Sequence, residues 1–162
     1  MKIKKNPLLD TWEMAESNEP AVRHANGLKP CDPTQILVVD DDAHIRELYK
    51  KTLSRCFPHC VVEVAVDGRK GVEIFSETHP AIVLLDYLMP HMNGEDAFFK
   101  MIECCEEQAW EKPSFLFCTG CNPPQSLRNA VSCDPAHCLL HKPVRTEILK
   151  EAVSVRLSRY KG

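Results

Sequence analysis

The chain alternates short, wholly apolar segments with longer segments in which apolar residues recur at helical spacing. Apolar runs without polar alternation are typical of strands buried on both faces of a parallel sheet. Five such runs predict strands at residues 36–39, 61–66, 81–85, 114–118 and 138–141. The intervening segments predict helices at residues 43–56, 68–78, 95–107, 123–133 and 146–160. This alternation predicts an α/β fold in which right-handed crossovers place helices on both faces of a parallel sheet.

The first and last helices carry the clearest local signals. Asp42 is the expected N-cap of the first helix, and Thr146 is the expected N-cap of the last. On the last helix the spacing predicts that Ile148, Ala152 and Val155 face the core.

Polar side chains follow four of the five predicted strands. The carboxyl ends of parallel strands meet at one edge of the sheet, where open α/β sheets bind ligands. The side chains expected at this edge are Asp40, Asp41, Asp86, Thr119 and Lys142. Helix capping could explain Asp40, Asp41 and Asp42, and is accepted here for Asp42. A turn could explain Thr119, and an ordinary surface position could explain Lys142. Because none of these explanations accounts for Asp86 on a different strand, a joint site is favoured.

Four segments carry a resemblance to a known family. They are ILVVDDD (residues 36–42), LLDYLMPHMNG (84–94), FCTG (117–120) and HKPV (141–144). In their order and intervals they resemble response regulator receiver domains of two-component signalling, from Gln35 to the C-terminus. The resemblance implies a doubly wound, flavodoxin-like fold like that of chemotaxis regulators. Its five parallel strands would be ordered 2-1-3-4-5, with five helices.

The resemblance also implies roles for the residues at the sheet edge. Asp86 would accept a phosphoryl group from a sensor histidine kinase or a phosphotransfer protein. Thr119 would donate its hydroxyl to that group, and Lys142 would pair with one of its oxygens. Mg²⁺ would be held by Asp40, Asp41, Asp86 and the backbone carbonyl of Leu88. Asp41 would bind the metal directly, and Asp40 mainly through water.

Elementary chemistry supports these roles. At an effective dielectric constant near 20, two unit charges ~4 Å apart repel by about 4 kcal/mol, which a divalent cation would offset. Mg²⁺ prefers oxygen ligands, and a carboxylate can act as the nucleophile in phosphoryl transfer. Phosphoryl transfer itself requires positioning and charge neutralisation more than covalent help from the protein.

Three positions depart from the usual receiver pattern. Receivers usually carry Tyr or Phe three residues before the lysine, where this chain has Leu139. We therefore expect an altered readout on the face formed by the fourth helix, the fifth strand and the fifth helix, where an unidentified downstream protein would bind. Leu88 and Cys121 border the phosphoryl group in the family, and neither orients an attacking water strongly, which predicts slow self-dephosphorylation.

Asn93 and Gly94 predict a turn beside Asp86 in which Gly94 is free to take a positive φ.

Residues 1–34 contain four prolines and few β-branched residues, and are interpreted as a tail or linker before a receiver domain at 35–162. Leu8, Trp12 and Ala15 could form the apolar stripe of a short helix in this tail. The N-terminus lacks the apolar run of a secretory signal, and no run approaches the roughly 18 residues of a membrane span. A net charge of −3 gives no reason to expect direct nucleic-acid binding. We expect a cytoplasmic protein whose nine cysteines are mostly reduced.

Three other functions compete with a phosphorylation switch. An aspartate-nucleophile phosphatase would usually carry a second Asp at the position of Leu88, so we expect no enzyme beyond intrinsic self-phosphorylation and self-dephosphorylation. A receiver-like adaptor that works without phosphorylation remains an alternative because of Leu139. A redox or zinc site at the Cys-x-x-Cys of Cys118 and Cys121 would not require the acidic residues.

Overall fold

The computed structural model describes residues 3–6, 11–14 and 27–160. Its strands are β1 (Ile3–Asn6), β2 (Thr11–Met14), β3 (Asp32–Val39), β4 (Val61–Ala65), β5 (Pro80–Leu85), β6 (Ser114–Thr119) and β7 (Cys138–His141). Its helices are α1 (Ala43–Cys56), α2 (Gly68–Thr78), α3 (Gly94–Glu107), α4 (Gln125–Ser132) and α5 (Thr146–Leu157). A single 3₁₀ turn at Ser158–Tyr160 follows α5. None of the helices in this described part is long and apolar enough to cross a membrane.

Five of the strands form one parallel sheet in the order β4-β3-β5-β6-β7. In the numbering of the five predicted strands this is the order 2-1-3-4-5, so the expected doubly wound, flavodoxin-like fold is confirmed. The short strands β1 and β2 form a separate antiparallel pair. The order reverses between β3 and β5, and this switch point is where such sheets open a ligand crevice.

The sheet is buried on both faces, as the apolar runs predict. Successive residues of β3 point to opposite faces, so that Ile36 and Val38 join one apolar cluster while Leu37 and Val39 join the other. The first cluster lies under α1 and α5, and the second lies under α2, α3 and α4. Burying each such side chain contributes roughly 1.5–3 kcal/mol, so the two layers hold the strand ends rigidly in place.

Helix α5 is the clearest correction to the sequence prediction. Ile148 and Val155 are exposed, and among the three residues predicted to face inward only Ala152 is partly buried against the core. The buried stripe is instead Leu149, Val153 and Leu157. Apolar residues occur at helical spacing on two sides of this helix, and docking on the sheet rather than the pattern itself determines which side is buried.

Two predicted helix starts were also wrong. Thr146 is the first residue of α5 rather than its N-cap, which is Arg145, and no side chain within residues 27–160 caps this helix. Helix α4 begins at Gln125, two residues later than predicted, with Pro124 in an extended conformation at its N-cap. The Asp42 cap of α1 is confirmed, because its carboxylate accepts hydrogen bonds from the amides of His44 and Ile45.

The segment before the first predicted strand is structured where it is described. Strand β3 begins at Asp32 rather than at residue 36, and Lys29 forms a parallel bridge with Trp110. At Trp12 the structure has strand β2 rather than the suggested helix, while Leu8 and Ala15 lie outside the described residues. The boundary of the domain at residue 35 remains a prediction. Residues before it, from Lys29 onward, already contact the fold.

Candidate functional site

Two neighbouring strands bring two buried carboxylates together. Val39 of β3 pairs with Leu85 of β5, so that Asp40 and Asp86 follow the ends of adjacent strands. The Asp86 amide donates to the Val39 carbonyl at 2.9 Å, which continues this pairing into the site. Asp40 is 2% exposed and Asp86 is 7% exposed, whereas Asp41 is exposed. Oxygen atoms of all three carboxylates lie within 4.8 Å of one another.

Lys142 joins the two buried carboxylates. Its Nζ donates to Asp40 Oδ2 at 2.6 Å and to Asp86 Oδ2 at 2.9 Å. The end of β7 sets this position, because the Lys142 amide donates to the Thr119 carbonyl at 2.9 Å. The peptide bond between Lys142 and Pro143 is cis. The sequence prediction therefore placed these three charged side chains together correctly.

The pKa values of Asp40 and Lys142 reflect both their burial and the hydrogen bond between them. Burial is the largest influence on Asp40 and raises the pKa of its carboxyl group, although hydrogen bonds from Lys142 and the Asp42 amide oppose the shift. For Lys142, burial alone would lower the pKa, but the hydrogen bonds to Asp40 and Asp86 outweigh it and raise the pKa. The lysine therefore remains protonated at neutral pH.

The three consecutive acids that follow β3, at residues 40–42, do not share one role. Asp42 caps α1, with its carboxylate 2.8 Å from the His44 amide nitrogen, and these helix amides lower its pKa. Asp40 makes no bond to the first turn of α1 through its carboxylate, which accepts from the Asp42 amide at 2.9 Å and from Lys142. Capping explains Asp42 alone, as expected, and leaves Asp40 and Asp41 available as oxygen donors.

The loop between β5 and α3 lies directly against Asp86. A Cβ atom on Gly94 would lie 2.1 Å from the Asp86 carbonyl oxygen, so only glycine fits there. Gly94 does not have the positive φ that the turn pattern suggested; the positive φ in this loop belongs to His91, at 66°. Leu88 lies two residues after Asp86, with its side chain 58% exposed. The role of its carbonyl as a metal ligand remains a prediction.

Thr119 ends β6 and is fully buried. Its Oγ1 accepts a hydrogen bond from the Cys121 amide at 3.3 Å and lies 3.4 Å from Cys121 Sγ. Cys118 lies one residue before it, in the core cluster under α1 and α5, where burial raises the pKa of its thiol to about 12. A thiol that resists ionisation makes a poor nucleophile or metal ligand, which argues against redox or zinc chemistry at this Cys-x-x-Cys.

Leu139 occupies the position at which receivers usually have an aromatic residue. It is partly buried on β7 and lines a cavity of about 240 Å³ against α4. The other lining residues are Pro123, Leu127, Arg128, Val131 and Ser132. The leucine therefore leaves free apolar space between α4 and the edge strand.

Comparison with known proteins agrees with this geometry. The family model described as the response regulator receiver domain matches residues 36–154. The chain belongs to this family. Receiver domains act in two-component signalling and are generally non-enzymatic, and they typically bind Mg²⁺ at an acidic pocket. The clustered carboxylate oxygens of Asp40, Asp41 and Asp86 are the oxygen-donor set that Mg²⁺ prefers, so the receiver site of this chain fits the ion.

Two curated relatives illustrate how much of the chain is shared. Response regulator MprA of Mycolicibacterium vanbaalenii is 42% identical over 62 residues, which cover 38% of this chain and 26% of MprA. Chemotaxis protein CheY of Thermotoga maritima is 36% identical over 69 residues, which cover 43% of this chain and 57% of CheY. The matched receiver segment thus spans about a quarter of MprA and just over half of CheY.

Solved structures show the same fold. A receiver domain protein from Clostridium thermocellum superimposes with a TM-score of 0.62 at 25% identity, covering 79% of this chain and 97% of that one. Chemotaxis protein CheY4 of Vibrio cholerae gives a TM-score of 0.61 at 23% identity, covering 75% of this chain and 97% of that one. The receiver fold therefore accounts for most of the described chain.

Proposed function

We propose that Asp86 accepts a phosphoryl group from a sensor histidine kinase or a phosphotransfer protein and thereby switches a partner-binding surface. The observation that carries this proposal is the position of Lys142, whose ammonium donates to both Asp40 and Asp86 beside Asp41. Such an arrangement surrounds one carboxylate with the charges that a transferred phosphoryl group requires.

The chemistry of the transfer follows from these side chains. A carboxylate oxygen of Asp86 attacks the phosphorus atom, and a new P–O bond forms as the P–N bond to the donor histidine breaks. The electron pair of the broken bond stays on the imidazole, and Asp86 becomes an acyl phosphate. Lys142 pairs with the transferred oxygens, and the Thr119 hydroxyl donates to one of them. These two groups bind and orient the phosphoryl group without accepting or releasing a proton.

The metal site uses the same acidic edge. Asp40, Asp41, Asp86 and the backbone carbonyl of Leu88 would hold Mg²⁺, with Asp41 bound directly and Asp40 mainly through water. When bound, Mg²⁺ supplies positive charge that offsets the repulsion among the carboxylates and the phosphoryl oxygens. Asp40 and Asp86 are buried beside Lys142, so that their oxygens are fixed before any ion binds.

Phosphorylation would act on the surface formed by α4, β7 and α5. A phosphoryl group adds a charge of about −1.5 to −2 and biases an existing equilibrium between two conformations. Thr119 lies at the start of the connection from β6 to α4, so a movement of its hydroxyl is coupled to this surface. A downstream protein would recognise the altered surface, where Leu139 replaces the usual aromatic residue.

A mass measurement tests the acceptor and the metal requirement together. The purified protein is incubated with a small acyl-phosphate donor, with Mg²⁺ or with EDTA, and its intact mass is measured. We expect one added phosphoryl group, absent with EDTA and absent in Asp86→Asn. Asp96→Asn changes an exposed aspartate at the start of α3 and should be phosphorylated normally. Phosphorylation of Asp86→Asn would contradict the assignment.

The alternative is a receiver-like adaptor that binds its partner without phosphorylation. The observation that favours it is Leu139, which lacks the ring that usually reports phosphorylation on this surface. An adaptor would show no added phosphoryl group under conditions in which a known receiver is phosphorylated.

A further inference from the structure

The hydroxyl of Thr119 is held by a single neighbouring residue. Within residues 27–160, the hydrogen bonds of Thr119 Oγ1 are both to Cys121: one from the amide at 3.3 Å and one with Sγ at 3.4 Å. The Thr119 side chain is fully buried, and Cys121 is partly exposed in the loop before α4. The Thr119 hydroxyl is thus engaged by this loop rather than by the side chains of Asp86 or Lys142.

The two contacts differ in what they require of the hydroxyl. The Cys121 amide can only donate, so it occupies a lone pair of Thr119 Oγ1 and leaves the hydroxyl hydrogen free to point elsewhere. The sulfur can accept that hydrogen, but sulfur is a weak acceptor. An anionic phosphoryl oxygen is a much stronger one, because charge-assisted hydrogen bonds are roughly twice as strong as neutral bonds.

We propose that Cys121 is a positioning residue, whose weak sulfur contact holds the Thr119 hydroxyl in the unphosphorylated protein and releases it to the phosphoryl group. The inference rests on the proposed function of Asp86 and adds a regulatory element to the same site. The strength of the acceptor at position 121 sets how readily Thr119 turns toward the acyl phosphate. Serine would hold the hydroxyl more tightly, and alanine would leave only the amide contact.

The test compares Cys121→Ser and Cys121→Ala with the wild-type protein. Initial rates of phosphorylation are measured by intact mass with a small acyl-phosphate donor and saturating Mg²⁺, and decay rates are measured separately after the donor is removed. We expect initial rates in the order Ala, Cys, Ser, from fastest to slowest, with steps of about threefold. Cys133→Ser, a change at an exposed cysteine just after α4, should leave the rate unchanged.

A second set of variants separates positioning from a general effect of the loop. In a Thr119→Val background there is no hydroxyl to hold, so the three residues at position 121 should give equal rates. A flat Cys121 series in the Thr119 protein would overturn the inference, as would an Ala, Cys, Ser order that persists in Thr119→Val. If the wild-type protein accepts no phosphoryl group at all, the proposed function fails and this inference fails with it.

Discussion

The ammonium of Lys142 lies 2.6 Å from Asp40 Oδ2, although 102 positions of sequence separate the two residues. This contact is made because β3 and β7 both end at the same edge of one parallel sheet. It neutralises a carboxylate that is 2% exposed, and the same ammonium also contacts Asp86. The site is therefore assembled in advance around one partly buried cation.

Removing that cation should destabilise the protein and strengthen its binding of a metal ion. Lys142→Ala leaves two buried carboxylates without a cationic partner, and we expect its free energy of unfolding in EDTA to fall by about 2 kcal/mol. Mg²⁺ should bind the variant more tightly, because it no longer competes with the ammonium. Denaturant unfolding and Mg²⁺ titration measure both effects, with the exposed Lys150→Ala as control. Unchanged Mg²⁺ affinity would contradict the shared site.

Asp40 and Asp42, which follow the end of β3, should have different functions: Asp40 in Mg²⁺ binding and Asp42 in helix capping. Asp42→Ala removes the cap of α1 and should lower the free energy of unfolding by about 1 kcal/mol while leaving Mg²⁺ binding intact. Asp40→Asn removes a carboxylate charge that would hold Mg²⁺ mainly through water, and we expect the Mg²⁺ affinity to fall at least about tenfold. Isothermal titration of both variants tests this division. Equal losses of Mg²⁺ affinity in the two variants would show that the assignment is wrong.

Two glycines provide a matched pair near the site. Gly94→Ala places a methyl group against the Asp86 carbonyl, so we expect a loss of about 3 kcal/mol or failure to fold. A Cβ atom on Gly120, in the loop after Thr119, would meet no other atom of the described residues within 4 Å, and Gly120→Ala should unfold at nearly the wild-type denaturant concentration. Similar behaviour of both variants would argue against the close approach of α3 to Asp86.

Two buried histidines predict a loss of stability in acid. Burial lowers the pKa of His79 and of His137, and His137 Nδ1 also accepts the Phe115 amide at 3.2 Å. The unfolded chain therefore binds more protons than the folded protein below the ordinary histidine pKa of about 6.5, so stability falls as pH decreases from there. Unfolding between pH 7.5 and 5.5 should show a shallower dependence in His137→Gln. A slope unchanged by this substitution would contradict the prediction.

The lifetime of the phosphorylated protein should be long. In receiver domains two positions border the phosphoryl group, and in this chain they are occupied by the exposed Leu88 and by Cys121. Neither side chain can strongly orient an attacking water. Leu88→Asn should therefore speed decay of the acyl phosphate by roughly tenfold, less than the roughly 10²–10⁴-fold typical of general acid–base catalysis, because an amide orients water without accepting its proton. Val155→Asn, a similar change at an exposed site on α5, should not. A wild-type lifetime of seconds would contradict slow self-dephosphorylation.

The strands and the charged site could be predicted because both follow from local patterns, whereas the strand order was implied by the resemblance to receiver domains. Apolar runs ending in Asp40 or Asp86 identify buried strands and the edge at which their side chains meet. The buried face of α5 could not be predicted, since Ile148 and Leu149 both belong to apolar stripes at helical spacing and only docking chooses between them. The role of Gly94 could not be predicted either, because its close approach to Asp86 depends on how α3 packs.

The segment before β3 could not be predicted for a similar reason. Lys29 bridges to Trp110 and lies over its ring at 5.2 Å from the centroid, a contact between distant parts of the chain. Proline content and the absence of a strand pattern suggested a linker at this point. Only the tertiary fold shows that the segment contacts the domain from Lys29 onward.

Chemical mapping of the phosphorylated residue shows directly whether Asp86 accepts the phosphoryl group. Protein phosphorylated with Mg²⁺ and a small acyl-phosphate donor is reduced with borohydride, which converts an aspartyl phosphate to homoserine, and is then digested and sequenced by mass spectrometry. We expect homoserine at position 86 and at no other aspartate, with none formed when EDTA replaces Mg²⁺. Homoserine at another aspartate, with position 86 unmodified, would show that Asp86 is not the acceptor.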